Sequence, residues 1–371
     1  MENGIDRKKI TVLLVDDSAV YLKILRNALA GAEDIVIIGE AHNGKEAVEF
    51  INSVQVPDII SLDIEMPVMD GIDTLKAVLK FNERRQEMTG IGVIMVSSHT
   101  QKGAEITIKC LEMGAFDFIG KPVQMNKKDS EEYIRNQLLT KIRVFSMQSR
   151  LRPIAVKHEI RQVRAVHHMD SADGICAVGI GISTGGPKAL TEMLPALAEK
   201  ITVPVLIVQH MPELFTASLA DSLKKKCCAE VVVGSEGLQV RHGVFYIAPG
   251  GRHMLVRKTP NGVVIGFSDS PPENGCRPSA DVLFRSMAAV YGSSAMGILM
   301  TGMGTDGTSG FRSLANAGAE LLIQDEASSV VWGMPGSAAA TGLVKKIIPL
   351  KNIADEIAHS IYARRESILK K

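Results

Sequence analysis

Short apolar runs alternate with stretches of helical periodicity along most of this chain, and this alternation restricts the possible folds more than any other feature. The run Ile10–Val15, for example, is followed by the amphipathic stretch Ala19–Ala30. Strands that alternate with helices are joined by crossover connections, so they form parallel sheets covered by helices. The sequence therefore predicts the α/β fold class.

The alternation occurs twice, so we expect two domains, as the length of 371 residues also suggests. Residues 8–146 predict five strands and five helices, in a doubly wound parallel sheet. Residues 147–173 lose the apolar period and are rich in Arg and His, which is typical of a linker. The pair His167-His168 within it could bind a metal, but we interpret it as part of the solvated linker.

Residues 174–371 return to the α/β pattern and are predicted to form the second domain, with a mostly parallel, doubly wound sheet. Three short runs, Val244–Ala248, His253–Val256 and Val263–Phe267, follow each other closely. Their spacing leaves no room for helices between them. We therefore expect an antiparallel excursion here, which would make the second sheet mixed.

Composition excludes several classes of function. The net charge of +1 and the single Trp argue against nucleic-acid binding. Five cysteines without CxxC spacing indicate reduced thiols rather than a disulfide framework. No apolar run reaches the roughly 20 residues of a membrane span, and the polar start MENGIDRKK does not resemble a signal peptide. These features predict a cytoplasmic protein that does not insert into membranes.

In the first half, acids and a lysine follow predicted strands that end at the same edge of the sheet. Asp16 and Asp17 follow the first strand, Asp63 the third, Ser97 the fourth and Lys121 the fifth. Three clustered carboxylates predict a Mg²⁺ site. Together with Lys121 they suit phosphoryl transfer to Asp63, with Ser97 as a hydroxyl donor. The alternative is that the acids are helix N-caps.

The stretches LLVDDS, SLDIEMPVMDG, MVSSHT and GAFDFIGKP resemble the receiver domain of two-component response regulators over residues 8–146. The resemblance implies a flavodoxin-like (βα)₅ fold, a phosphorylated aspartate, Mg²⁺ and a histidine kinase as phosphodonor. It also implies a switch hydroxyl and a switch aromatic, although a core role for that phenylalanine is equally compatible with the pattern. The positions that it assigns are the phosphoacceptor Asp63, the metal ligands Asp16, Asp17, Asp63 and the backbone carbonyl of Glu65, and the switch residues Ser97, Phe118 and Lys121.

In the second half, the stretch GIGISTGG at 179–186 raises three possibilities. A dinucleotide fingerprint would need Gly where Thr184 stands, and a P-loop would need Lys where Pro187 stands. GISTG does match the GxSxG turn, which presents a serine nucleophile at the start of a helix. Ser183 is therefore a candidate nucleophile, and the alternative is that it only caps the helix.

A serine nucleophile needs a base and an orienting acid, and two later strands end in suitable residues. His210 follows the predicted strand Val203–Val208, and Asp306 lies in the glycine-rich loop after Met296–Met300. The alternatives are a surface histidine and an N-cap for the helix predicted at 306–317. The order Ser, His, Asp differs from that of α/β-hydrolases, which would require His359 as the base. We therefore expect a serine hydrolase of another fold.

Six stretches resemble the catalytic domain of chemotaxis protein-glutamate methylesterases, the CheB family, over about residues 174–345. They are AVGIGISTGGPKAL, VPVLIVQHMPELFT, VFYIAPGGRHM, RPSADVLFRSMA, GILMTGMGTDGTSGFRSLANAGA and QDEASSVVWGMP. The resemblance implies Ser183 as nucleophile, His210 as general base and acid, and Asp306 as the orienting carboxylate. It also implies the Met303 N–H as an oxyanion donor, with Thr184 beside the site.

The same resemblance implies the reaction and the partners. The substrates would be methylated glutamates of methyl-accepting chemotaxis receptors, with release of methanol, and receptor glutamines would be deamidated. The esterase reaction would need no cofactor, and phosphorylation of the receiver would activate it. The alternatives are a non-enzymatic response regulator that binds partners and a transcriptional regulator, but no helix-turn-helix pattern supports the latter.

Overall fold

The computed structural model describes residues 9–53, 55–85, 90–122, 127–151 and 174–369. The chain divides into two compact units, one within residues 1–157 and the other within 158–371. This division falls inside the predicted linker. Residues 152–173, with His167 and His168, lie outside the described residues, so the limits of the linker and of the domains stay a prediction.

The first unit contains a parallel sheet of five strands in the order β2-β1-β3-β4-β5, with helices in the connections. The predicted doubly wound α/β fold is confirmed for this unit. Its strands are β1 (Ile10–Val15), β2 (Ile35–Ala41), β3 (Ile59–Asp63), β4 (Gly92–Ser97) and β5 (Asp117–Gly120), and its helices are α1 (Ala19–Leu29), α2 (Gly44–Ile51), α3 (Gly71–Arg85), α4 (Gln101–Met113) and α5 (Lys127–Leu151).

Local sequence explains where these helices begin and how far they run. Ser18, Asn43 and Thr100 each accept a hydrogen bond from a backbone N–H of the first turn of α1, α2 and α4, respectively. All residues of β3 and β4 are buried, as expected for central strands covered on both faces. Helix α5 continues to Leu151, beyond the predicted domain end at 146.

The second unit contains a sheet of seven strands in the order β14-β13-β12-β6-β7-β9-β8 and a separate hairpin, β10-β11. Its strands are β6 (Ala177–Ile182), β7 (Val205–Gln209), β8 (Glu230–Val233), β9 (Val244–Ile247), β10 (His253–Thr259), β11 (Gly262–Ser268), β12 (Ala295–Leu299), β13 (Glu320–Gln324) and β14 (Lys346–Ile348). Its helices are α6 (Gly186–Ala198), α7 (Glu213–Lys226), α8 (Ala280–Tyr291), α9 (Thr308–Asn316), α10 (Gly333–Ala339) and α11 (Leu350–Leu369).

The prediction of a mixed second sheet is wrong. Every pair of neighbouring strands in the seven-stranded sheet is parallel, including β9 with β7 and with β8. Among the strands that the structure describes, antiparallel pairing occurs in the hairpin β10-β11 alone. The segment between β8 and β9 runs beside β11, where the Val240 N–H donates to the Val263 carbonyl at 2.9 Å. This segment forms a crossover without a helix, so β9 enters the sheet parallel despite its short connection.

In each parallel sheet, the first strand in chain order lies inside the sheet and has later strands on both sides. Strand β1 lies between β2 and β3, and β6 lies between β7 and β12. At such a switch point the connections leave in opposite directions and open a crevice at the carboxyl ends of the strands. No helix in the described part of the chain combines the length and the apolar character that a membrane span needs.

Candidate functional site

Ser183 lies on a tight turn between the central strand β6 and helix α6. The strand ends at Ile182 and the helix begins at Gly186, so only three residues connect them. Gly185 adopts a φ of +79°, in the left-handed region that a side chain disfavours. At Gly181 a Cβ would lie 2.7 Å from the Cβ of Ala280, so this glycine allows α8 to approach β6. The predicted strand-turn-helix context of GxSxG is therefore present.

His210 follows the neighbouring strand β7 and lies beside this turn. Ile182 is paired with Gln209 in the sheet, and the His210 N–H donates to the Ile182 carbonyl at 3.1 Å. The Gln209 amide adds a bridge, because its Nε2 donates to the carbonyls of Ser183 and His210 at 3.0 and 3.3 Å. Ser183 and His210 are thus adjacent across two hydrogen-bonded strand ends.

Asp306 approaches the same place from the loop after β12. Its Oδ2 lies 2.7 Å from Nε2 of His210, and only 2% of its side chain is exposed. Asp306 does not cap α9, because the N-cap of that helix is Gly307 and no side chain bonds its first turn. The structure therefore brings all three candidate residues to one edge of the sheet.

The carboxylate of Asp306 instead accepts hydrogen bonds at the beginning of α8. The Ser279 hydroxyl donates to Oδ1 and the Ala280 N–H donates to Oδ2, each at 2.6 Å. The side chain of Asn274 and the N–H of Asp281 add longer contacts of 3.3 Å to Oδ1. A helix N-terminus stabilises negative charge, so Asp306 is held as an anion.

The pKa values in the pair follow from these contacts. Burial alone would raise the pKa of Asp306, but the hydrogen bond to His210 and those at α8 lower it to about 2. Burial would lower the pKa of His210, but its contacts with Asp306 and Cys276 raise it to about 9. Both shifts favour the form of the pair in which His210 is an imidazolium and Asp306 is a carboxylate.

The hydroxyl of Ser183 makes no hydrogen bond within the described residues, and it is half-buried. The second ring nitrogen of His210, Nδ1, lies 3.5 Å from the sulfur of Cys276. The structure thus contains the His210–Asp306 contact, whereas a direct bond between Ser183 and His210 is not formed.

Met303 and Thr184 lie on the two loops that meet at Ser183. The Ser183 N–H donates to the carbonyl of Thr301, so the loop that carries Met303 begins directly beside Ser183. Among the described residues, no acceptor receives the N–H of Met303, which leaves this donor available to a ligand. Thr184 is buried, and its carbonyl accepts from the Thr301 hydroxyl at 2.9 Å.

The first unit has a separate cluster of acids at the switch point beside β1. Oxygen atoms of Asp16, Asp17 and Asp63 all lie within 4.8 Å of one another. Lys121 contacts two of these carboxylates, with its Nζ 3.1 Å from Asp16 and 2.9 Å from Asp63. Burial raises the pKa of Asp63 to about 6, against the opposing effect of Lys121. Burial likewise raises the pKa of Asp16.

Ser97 and Phe118 are both buried near this cluster. Ser97 ends β4, but its hydroxyl contacts helix α4: it accepts from the Thr107 hydroxyl at 2.7 Å and lies 3.2 Å from the Gly103 carbonyl. A switch role for Ser97 would therefore require it to leave these partners. Glu65 lies in the loop after β3, and its carbonyl accepts no hydrogen bond from the described residues.

Several residues that support the second site were not assigned from the sequence. Ser279, with Asp281 two positions later, is typical of the start of a helix, and it caps α8. The dipeptide Asn274-Gly275 is typical of a tight turn. Both features could therefore be predicted from the sequence. No pattern predicts that this turn reaches His210, because that contact joins distant parts of the chain. The residues concerned are Gln209, Asn274, Cys276, Ser279 and Asp281.

Comparison with known proteins matches two family models to separate parts of the chain. The family model of the CheB methylesterase matches residues 178–357, and that of the response regulator receiver domain matches residues 12–129. A protein-glutamate methylesterase/protein-glutamine glutaminase of Desulfotalea psychrophila is 43% identical over 370 residues, covering 95% of this chain and 99% of the relative. The Bacillus subtilis protein of the same description is 40% identical, covering 96% of this chain and 99% of its own.

Two solved structures from Thermotoga maritima are similar to separate halves of the chain. The CheB methylesterase catalytic domain is 33% identical, covers 50% of this chain and 98% of its own, and has a TM-score of 0.49. The response regulator domain of CheB is 38% identical, covers 39% of this chain and 99% of its own, and has a TM-score of 0.32.

Proposed function

Because this chain belongs to the CheB methylesterase family and also carries a response regulator receiver domain, we propose that Ser183, His210 and Asp306 form its catalytic triad. The chain is a chemotaxis enzyme, a protein-glutamate methylesterase/protein-glutamine glutaminase. The observation that carries the triad is the 2.7 Å contact between His210 and Asp306, beside the strand end that holds Ser183. The alternative of a non-enzymatic response regulator is not favoured.

In this proposal the two nitrogens of His210 have different roles. Asp306 accepts the hydrogen bond of Nε2–H, so Nδ1 is the nitrogen that takes the proton from Ser183. Ser183 attacks the γ-methyl ester of a receptor glutamate, and the Met303 N–H stabilises the oxyanion. His210 then protonates the leaving methoxide as methanol, and water hydrolyses the acyl-enzyme. For a glutamine the leaving group is ammonia.

The test measures methanol release from methylated receptor membranes by the full-length chain. Ser183→Ala should lower kcat by several orders of magnitude, because no other group in the proposed triad can form the acyl-enzyme. Ser313→Ala in α9 is a matched control and should retain activity. Near-normal turnover by the Ser183 variant would refute the triad.

We also propose that Asp63 is the phosphoacceptor of a histidine kinase, with Mg²⁺ bound by Asp16, Asp17, Asp63 and the carbonyl of Glu65. The donor set fits a hard cation, since three carboxylates converge and burial disfavours their combined charge. Bound Mg²⁺ would supply positive charge against the phosphoryl oxygens. Lys121 would neutralise a further oxygen from its position 2.9 Å from Asp63.

In this proposal, phosphorylation of Asp63 would change the surface of the receiver domain through the switch residues Ser97 and Phe118. The Ser97 hydroxyl would exchange Thr107 for a phosphoryl oxygen, and Phe118 would change its packing with it. The partners in this proposal are the methyl-accepting receptors and the kinase, and the reaction takes place in the cytoplasm. The esterase step uses side chains, the backbone N–H of Met303 and water, and it requires no cofactor.

A further inference from the structure

The base nitrogen of His210 faces a cysteine that the reaction does not use. Cys276 Sγ lies 3.5 Å from Nδ1, while Nε2 on the opposite side of the ring bonds Asp306 at 2.7 Å. The imidazole is therefore held between two partners, and the Ser183 hydroxyl is not one of them. Cys276 is only partly buried, and it is not in a disulfide.

The identity of the base nitrogen follows from the chemistry of Asp306. A carboxylate at this site only accepts hydrogen bonds, so Nε2 keeps its proton and Nδ1 must exchange one with Ser183. Cys276 thus contacts the one ring nitrogen that catalysis requires. When the ring is protonated, Nδ1–H donates to the sulfur, and this contact must break before Nδ1 can serve Ser183.

Cys276 is placed by a rigid two-residue turn. Glu273 and Cys276 exchange backbone hydrogen bonds of 3.0 and 2.9 Å across Asn274 and Gly275, which both have positive φ. The Asn274 amide donates to Asp281 at 2.8 Å, and Glu273 forms a bidentate ion pair with Arg285 of α8. The turn is therefore attached to α8, the helix whose N-terminus also holds Asp306.

We propose that Cys276 is a positioning residue for the general base: its sulfur holds the resting imidazolium toward the 273–276 turn and away from Ser183. This inference rests on the proposed triad. Cys276 restrains the base, and removal of the thiol should release it. A direct consequence is that this cysteine, together with Asp306, raises the pH at which the enzyme becomes active.

The charged and titratable groups around His210 determine how its pKa should change when Cys276 is replaced. The titratable groups that contact His210 are Asp306 and Cys276, and Asp281, Glu273 and Arg285 lie around Asp306. Burial opposes the charge of the ring, and the two contacts outweigh it, so the pKa of His210 is about 9. Without the sulfur, the imidazolium loses one of its two partners and its pKa should fall.

The experiment uses the full-length chain with alanine and serine at position 276. The pKa of His210 is measured by NMR with ¹⁵N-labelled histidine, and kcat/KM for methylated receptor is measured against pH. For Cys276→Ala we expect a lower pKa of His210. On the acidic limb kcat/KM should rise roughly two- to tenfold, the effect of one ordinary hydrogen bond, with KM and the high-pH plateau unchanged.

Cys276→Ser should shift both quantities in the same direction, because its shorter bond leaves the hydroxyl farther from Nδ1. Cys228→Ala, at an exposed cysteine outside the site, is the control and should match the parent. An unchanged pKa of His210, or an equal fall of kcat/KM at every pH, would overturn the inference. Activity of Ser183→Ala would instead refute the triad, and the NMR titration remains decisive without turnover.

Discussion

Replacing Asp306 by Asn tests the triad most directly, because the amide has nearly the same shape and no charge. The carboxylate receives donors on both oxygens: His210 and Ala280 on Oδ2, and Ser279 on Oδ1, with longer contacts of 3.3 Å from Asn274 and Asp281 to Oδ1. An amide has a single oxygen. Ser279 can reverse its hydroxyl and accept, whereas the Ala280 N–H cannot. Because the Ala280 bond of 2.6 Å is shorter than the two remaining contacts to Oδ1, the amide oxygen should take the position of Oδ2.

In that orientation His210 keeps its tautomer and loses only the negative charge beside it. A hydrogen bond to a charged group contributes about 1.5–3 kcal/mol, so kcat/KM on the high-pH plateau, where His210 is neutral in both proteins, should fall roughly ten- to hundredfold. The reverse amide orientation would present N–H to Nε2, move the ring proton to Nδ1 and cost of the order of 10⁴-fold. The contacts of Ser279 and Ala280 favour the smaller loss.

The assay is methanol release by the full-length variant, with the pKa of His210 measured on the same sample. That pKa should fall below about 9, because the anion that stabilises the imidazolium is gone. Asp269→Asn is the control, since this exposed acid pairs with Arg252 away from the triad, and its activity should stay unchanged. Undiminished activity of Asp306→Asn would refute our interpretation of the contact, and so would a pKa of His210 that does not move.

Three further predictions concern the pH dependence of activity, the pH dependence of stability and phosphorylation. Because only neutral His210 accepts a proton, kcat/KM should rise with pH and level off near its pKa of about 9; a profile already flat at neutral pH would contradict this. The free energy of unfolding should instead decrease as the pH rises. The pKa is raised from 6.5, so the contribution of His210 is complete below pH 6.5 and is lost as pH rises through about 9, which denaturant unfolding at several pH values would detect. Asp63→Asn should fold and keep its basal esterase activity, but a small phosphodonor should no longer accelerate it, and chelation of Mg²⁺ should have the same effect on the parent; persistent acceleration would exclude Asp63 as phosphoacceptor.

Much of the fold could be predicted because local sequence and tertiary structure agree. Strand β1 and helix α1 follow the periodicity of their residues almost to the predicted limits. The direction of β9 could not be predicted, because it depends on a segment without periodicity that runs beside the hairpin. The short spacing between β9, β10 and β11 in the sequence showed that no helix separates them. It did not show which of them joins the seven-stranded sheet.

The candidate sites show the same difference. Ser183, His210 and Asp306 each follow a strand of one parallel sheet, and the carboxyl ends of such strands meet at one edge. Their convergence was therefore predictable from strand order alone. The partners of Asp306 and of Nδ1 come from the turn before α8, which is not a strand end, so no rule of sheet topology points to them.

The position of β6 in the middle of the seven-stranded sheet has a consequence for the order in which this unit unfolds. Three strands flank β6 on each side, so local unfolding that starts at the outermost strands, β14 or β8, must separate two further pairs of strands before it reaches Ser183. The amides of β6 should accordingly be among the last of this unit to exchange with deuterium. A partly denatured population would therefore keep Ser183 in place after the edge strands have unfolded.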